Sequence, residues 1–305
     1  MSSRLVSIGL PVYNGGECLR RALDSILAQT HANFEVIISD NASTDGVTPV
    51  IAEEYAQRDS RIRLIRQTVN QGALANFLWV AQQARGDYFM WAAHDDAWSE
   101  NFVEALANRL DESPQAVLAT PRTRVEKITK AGTTQLTVFP EAPHSDRWAI
   151  LDAFLVDYGC VWIYGLYRTE WLKLAAPKLT GYQIIGADRL WLLDLILNNS
   201  VTSTPEALFY YSYIDGKPKD RSSRTKLRDL GIEIYYMSRS ALQQPNASDR
   251  VRALRKILWF LYWHRISRRN PIGTLIRIVK LSVLGTWFGL ESGIRYLTRP
   301  RRLAN

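Results

Sequence analysis

Apolar and polar positions along the first hundred residues fall into alternating blocks. Leu5-Val6-Ser7-Ile8-Gly9-Leu10 is a short apolar run that stops at Pro11, the pattern of a buried strand. Asn14-Gly15-Gly16 reads as a turn, after which Leu19, Ala22, Leu23, Ile26 and Leu27 recur at helical spacing. A second run, residues 34–39, ends at Asp40 and opens into the polar stretch Asn41-Ala42-Ser43-Thr44-Asp45-Gly46. A helix through Ala56, a strand over 61–65, a helix from near Gly72 to Gly86 and a strand over 88–91 complete the series. Strands and helices alternate, which predicts an α/β fold with a mostly parallel sheet and helices on both faces.

Ligands of such sheets bind at the carboxyl ends of the strands. Polar residues gather there: the segment from Pro11 to Asn14 after the first strand, Asp40 after the second, Asn70 after the third and Asp95 after the fourth. The fourth strand delivers two adjacent carboxylates, Asp95-Asp96. Two neighbouring Asp side chains at a sheet edge are costly to bury unless a cation lies between them; the alternative is a helix cap before Ser99. Neither G-x-G-x-x-G nor G-x-x-x-x-G-K-[ST] occurs, so a dinucleotide fingerprint and a P-loop are both excluded.

The ordered set Pro11-Val12-Tyr13-Asn14-Gly15-Gly16, Ser39-Asp40-Asn41-Ala42-Ser43-Thr44-Asp45-Gly46, Asn70-Gln71-Gly72 with Asn76, and Gly86-Asp87-Tyr88 leading to Asp95-Asp96 resembles the family 2 inverting glycosyltransferases. The resemblance is strong over residues 4–120, weaker to 215 and absent beyond. It implies a GT-A fold, with 1–215 as the catalytic domain (1–120 binding the nucleotide-sugar, 121–215 facing the acceptor). A mobile loop and a basic helical tail would occupy 216–305.

What the resemblance implies for single residues follows. Asp40 would accept a hydrogen bond from a ring N–H of uracil or thymine, pointing to a UDP- or dTDP-sugar; the plainer role is an Asx turn with Ser43. Pro11, Val12 and Tyr13 would wall the base, with Asn14 beside them; Asn70 and Asn76 would line the nucleoside pocket, or serve as turn and cap residues. Asp95 would ligate Mg²⁺ or Mn²⁺ on the donor diphosphate, with Asp96 as second ligand or orienting group. His94 would touch the ribose or a phosphate, or simply pack. The family often shows Asp-x-Asp-Asp; here Ala93 replaces the first acid. Asp188, in Gly186-Ala187-Asp188-Arg189, would be the general base, or a first-turn helix acid. The aromatic run 161–167 reads as an acceptor-side strand, from which Trp162 and Tyr164 would stack on a sugar or fill the core. Lys217, Lys219, Arg221 and Arg224 would meet phosphate from the loop at 215–224.

Charge changes the picture at the other end. Residues 250–302 carry thirteen Lys and Arg against one acid, Glu291, in a chain whose net charge is +8; the remainder is therefore mildly acidic. Apolar residues at helical spacing (Val251, Leu254, Ile257, Leu258, Leu261, Tyr262, Ile266) alternate with Arg252, Arg255, Lys256 and Arg265, and a second such helix follows Pro271. Basic amphipathic helices with Trp259, Trp263 and Trp287 suit an anionic membrane surface; packing on the catalytic domain or another subunit is the alternative. No nucleic-acid module accompanies the charge, so nucleic acid is not the expected partner. No run of 18 uncharged apolar residues exists, and the two cysteines, Cys18 and Cys160, show no zinc spacing. The expectation is a peripheral enzyme at the cytoplasmic face of a membrane, transferring a sugar to a lipid-linked saccharide in cell-surface polysaccharide assembly. The rival is a non-catalytic partner subunit that keeps the nucleotide fold, a reading to which Ala93 and Ala187 lend support.

Overall fold

The computed structural model describes residues 4–129, 132–138, 146–156, 159–182, 186–214 and 223–261. β1 (Val6–Val12) is buried along its whole length. α1 (Cys18–Leu27) turns Leu19, Ala22, Leu23 and Ile26 inward, at the positions its apolar spacing selects. β2 (Phe34–Asp40), α2 (Thr48–Arg58), β3 (Ile62–Arg66), α3 (Ala73–Gln82) and β4 (Tyr88–Trp91) follow. β1 pairs in parallel with β2 and β4, and β2 with β3. The register aligns Val12 with Asp40 and Asp40 with Arg66, so three strand ends finish in one row.

Beyond β4 the sheet is mixed. β5 (Ala97–Trp98), α4 (Phe102–Glu112), β6 (Ala116–Thr129), β7 (Gly132–Val138), α5 (Arg147–Val156), β8 (Leu166–Arg168), α6 (Thr169–Ala175), α7 (Ala187–Asn198) and β9 (Ser200–Ile214) give the strand order β3-β2-β1-β4-β8-β6-β9-β5, with β7 on β6. β8 runs antiparallel to both β4 and β6, whereas β6 and β9 are parallel. The parallel sheet read from the sequence therefore covers its first four strands, in a mixed sheet of nine strands among the described residues.

The aromatic run 161–167 corrects one expectation. Residues Gly159–Tyr164 form a 3₁₀ segment, and only Leu166–Arg168 is strand. Gly165 N–H closes back on the Trp162 carbonyl at 3.0 Å, and the Tyr167 hydroxyl donates to the same oxygen. The aromatics thus pack around a turn instead of alternating across a strand.

The chain divides into two compact units, Met1–Gly181 with Asn199–Pro218, and Tyr182–Asn198 with Lys219–Asn305. The second contains α7, α8 (Ser223–Leu242) and α9 (Ala247–Leu261), with α8 packed on both of the others. α7 thus groups with the C-terminal helices, not with the residues that flank it in sequence. Its Asp194 accepts from Ser240 Oγ and its Asn198 from Gln244 Nε2. Of the expected phosphate loop at 215–224, residues 215–222 lie outside the described residues, as does the second basic helix after Pro271, whereas Arg224 falls in the first turn of α8 and not in a loop.

Candidate functional site

The loops after β1, β2 and β3 are stitched to one another by side chains. Asn14 N–H donates to Ser43 Oγ (2.9 Å), and Thr44 N–H donates back to Asn14 Oδ1 (2.8 Å). Asp45 accepts from Gly16 N–H with one oxygen and from the Val47 and Thr48 N–H groups, at the start of α2, with the other. Burial would raise the Asp45 pKa, but the bonds from Thr48, Val47 and Gly16 outweigh it and hold the carboxyl below its ordinary range. Asn41, buried, accepts from Gln71 N–H and donates to Asn70 Oδ1 and the Gly72 carbonyl. Its own N–H reaches the Val12 carbonyl. Asn41 is the hub of this cradle, and no role was read for it from the sequence; its signal was a polar residue directly behind an expected strand end.

Two residues in this region carry a positive φ without being glycine: Asn14 (50°) and Ala42 (60°). Asn tolerates that conformation, whereas for Ala it costs about 1–2 kcal/mol. Such strain collects where surrounding bonds over-determine the backbone, often at binding sites.

Asp40 sits at the centre and is 1% exposed. Its Oδ1 accepts from Ser43 N–H at 2.9 Å, so the Asx turn is real. Its Oδ2 accepts no hydrogen bond among the described residues. The nearest cation is Arg66 Nε at 3.5 Å, on a side chain more than half exposed. A buried carboxylate oxygen without a donor is expensive, and a ligand N–H would relieve it. Pro11 and Val12 are buried beside it in β1, and Tyr13 is exposed. Asn70 is an exposed turn residue whose Oδ1 accepts from Asn41 and Gly72. Asn76 differs from its expected pocket role: buried, it accepts from Ser39 Oγ and donates to the Ser39 carbonyl, bracing β2 from behind.

The acidic turn after β4 approaches the first loop through His94. A Cβ added at Gly15 would meet His94 Cδ2 at 3.0 Å, so the imidazole packs on backbone that only glycine leaves open. Asp95 is half-buried. Asp96 is 1% exposed, and its Oδ1 accepts from the Ser212 N–H of β9 at 2.8 Å. Ser212 Oγ in turn accepts from Arg21 Nη1, while Arg21 Nη2 donates to Glu126 Oε2 at 2.6 Å. Asp96 therefore ties the turn to β9 through one of its oxygens. Among the described residues no group of three His, Cys, Asp or Glu is clustered to hold a metal. Mg²⁺ sites on nucleotides commonly use one or two carboxylates, with phosphate and water completing the shell.

Asp188 lies in the first turn of α7, two residues after Gly186 at φ 96°. Its Oδ1 accepts from Arg189 N–H at 2.8 Å. Burial pushes its pKa up, more than that bond and the Arg189 charge pull it down. Arg189 itself lies 3.8 Å from Glu233 Oε1 and over the Phe260 ring. In the other unit, Trp162 is 6% exposed with its ring against Phe154, a packing role. Tyr164 is half-buried beside Phe209.

Comparison with known proteins bears on these features. The profile of Glycosyl transferase family 2 matches residues 7–171, more than half of the chain. Glycosyltransferase GlyG of Streptococcus pneumoniae is 32% identical over 116 residues, 38% of this chain and 38% of that protein. TuaG of Bacillus subtilis, named for teichuronic acid biosynthesis, is 32% identical over 100 residues, 33% of this chain and 39% of that protein. Across the first curated relatives, the aligned stretch makes up between 15% and 33% of their lengths. The structure of S. aureus TarS with UDP-GlcNAc superposes with a TM-score of 0.63 at 18% identity, over 85% of this chain and 72% of that one. A mannosyltransferase from Pyrobaculum calidifontis, in complex with GDP-Man and Mn²⁺, gives 0.51 at 15% identity, over 96% and 84%. These structural likenesses support the GT-A fold, and the profile match settles the family: the chain belongs to glycosyl transferase family 2.

Proposed function

We propose that the protein is an inverting glycosyltransferase that moves a sugar from UDP- or dTDP-sugar to a hydroxyl of a lipid-linked saccharide in polysaccharide assembly at a membrane surface. The observation that carries the donor assignment is Asp40 Oδ2, buried at the carboxyl end of β2 with no hydrogen-bond donor among the described residues. Uracil and thymine each present a ring N–H to such an oxygen. Pro11, Val12 and Tyr13 flank it, and the interlocked loops hold it in place before a ligand arrives, which lowers the ordering cost of binding. The names of TuaG and of the TarS complex are consistent with a sugar nucleotide and a cell-surface glycan.

A divalent ion at Asp95 would neutralise charge that builds on the leaving nucleoside diphosphate. Asp188 would take the proton of the acceptor hydroxyl as that oxygen bonds to the anomeric carbon and the bond to the diphosphate breaks. One displacement of this kind inverts the centre. Its raised pKa makes Asp188 a stronger base than an exposed carboxylate.

Titration calorimetry with UDP, dTDP and GDP, each with and without Mn²⁺, tests the donor site. Metal-dependent binding of UDP or dTDP supports it, and a preference for GDP overturns the base assignment. No nucleotide binding at all would favour the non-catalytic partner subunit. Asp188→Asn tests the base: transfer should fall by about 10²–10⁴-fold while UDP affinity is unchanged.

A further inference from the structure

α9 has two unlike sides. Ala253, Ile257, Phe260 and Leu261 are buried, and Phe260 lies under the Arg189 guanidinium of α7. On the opposite side, Val251 is 58% exposed, Leu258 46% and Trp259 53%, with exposed Arg252 and Arg255 between them. At 100° per residue these five positions fall within an arc of about 120°. The acid of this helix, Asp249, lies off that arc. Isolated exposed apolar residues are ordinary; three on one helix face, interleaved with arginines, are not.

We infer that this face of α9 docks in the plane of an anionic phospholipid surface. The inference deepens the reading of a lipid-linked acceptor and names the partner of one face. Val251 and Leu258 would enter the boundary between headgroups and acyl chains, Trp259 would sit at headgroup level, and the two arginines would lie against lipid phosphates. Charge agrees: residues 250–302 hold thirteen basic side chains and one acid, whereas the rest of the chain is mildly acidic, so an anionic leaflet attracts this end alone. Among the described residues no helix is long and apolar enough to cross a membrane. A nucleic-acid backbone would satisfy the arginines and leave Val251, Leu258 and Trp259 without a counterpart.

Co-sedimentation of the full chain with vesicles tests this. Vesicles of phosphatidylcholine with one quarter phosphatidylglycerol should bind at least about tenfold more tightly than pure phosphatidylcholine, with the gain lost at high salt. The double variant Leu258→Glu/Trp259→Glu, at two exposed positions, should lose about tenfold in partition and keep its UDP affinity. Arg252→Gln/Arg255→Gln should weaken binding in the same direction and preserve the fold independently. Equal binding to both vesicles, unchanged partition of either variant, or tighter binding to duplex DNA than to the anionic vesicles would overturn the inference. Because UDP affinity is read on the same samples, failure of the donor assignment shows separately from failure at α9.

Discussion

Asp40 and Asp96 are equally buried carboxylates, one at the end of β2 and one in the turn after β4, and they are held in opposite ways. Asp40 is closed locally: Ser43, three residues on, takes one oxygen, and the other, 3.5 Å from Arg66 Nε, accepts no hydrogen bond among the described residues. Asp96 is closed at long range, by a backbone N–H of β9 that is 116 residues away in sequence. Local closure leaves recognition capacity in a rigid frame. Long-range closure ties one oxygen of Asp96 to the sheet. On the proposed reading, Asp95 would then be the working acid of the pair and Asp96 its anchor.

Four substitutions would break or sharpen this contrast. Asp95→Asn should have the largest effect, cutting transfer by about a hundredfold or more and removing the Mn²⁺ dependence of UDP binding, since the ion supplies several kcal/mol of charge stabilisation. A variant with full metal-dependent affinity would return ligation to Asp96. Asp40→Ala should weaken UDP by about tenfold or more, as expected for a hydrogen bond to a charged group worth about 1.5–3 kcal/mol, and should also cost about 1–3 kcal/mol of stability from the orphaned Ser43 N–H. Asp96→Ala should separate the two effects: nucleotide binding persists, and urea denaturation shows a loss of about 1–3 kcal/mol from the orphaned Ser212 N–H. Ala42→Gly should be the mildest, stabilising the cradle by about 1 kcal/mol by relieving its positive φ.

Asp188 adds a pH test. Its pKa is raised in the folded state, so its carboxyl contributes most to stability below the ordinary carboxylate value, and that contribution is lost as pH rises through the raised value. Asp188→Asn should therefore melt higher than the parent near neutral pH, with the gap closing toward acid. The acidic limb of the parent's kcat/KM profile should vanish in the same variant. A parent and variant with parallel melting curves across pH would remove the buried-base reading.

Legibility followed the range of the interactions. Apolar spacing placed β1 to β4 and α1 to α3 because each is a local pattern, and it placed Asp40 and Asp95 because strand ends follow from strands. Asn76 was read as a pocket residue, yet it turns inward to Ser39; spacing along a helix does not say which side a strand carbonyl needs support. Asn41 went unread because its three partners lie on another loop. The mixed half of the sheet was hidden for the same reason: β6 and β9 pair across about eighty intervening residues, and nothing local in either strand announces the other. The run at 161–167 has strand composition but turn geometry, since a carbonyl shared by Gly165 and Tyr167 outweighs propensity.

The bond from Ser212 to Asp96 also orders events during synthesis. A ribosome adds residues from the N-terminus, and the first four strands can pair as soon as they emerge. At that moment Asp96 has no Ser212 to meet, and a carboxylate destined for burial must stay hydrated. The turn after β4 gains this bond only when β9 is in place beside β6. A chain arrested before residue 212 would possess the interlocked loops after β1, β2 and β3 but would lack the bond that fixes the acidic turn.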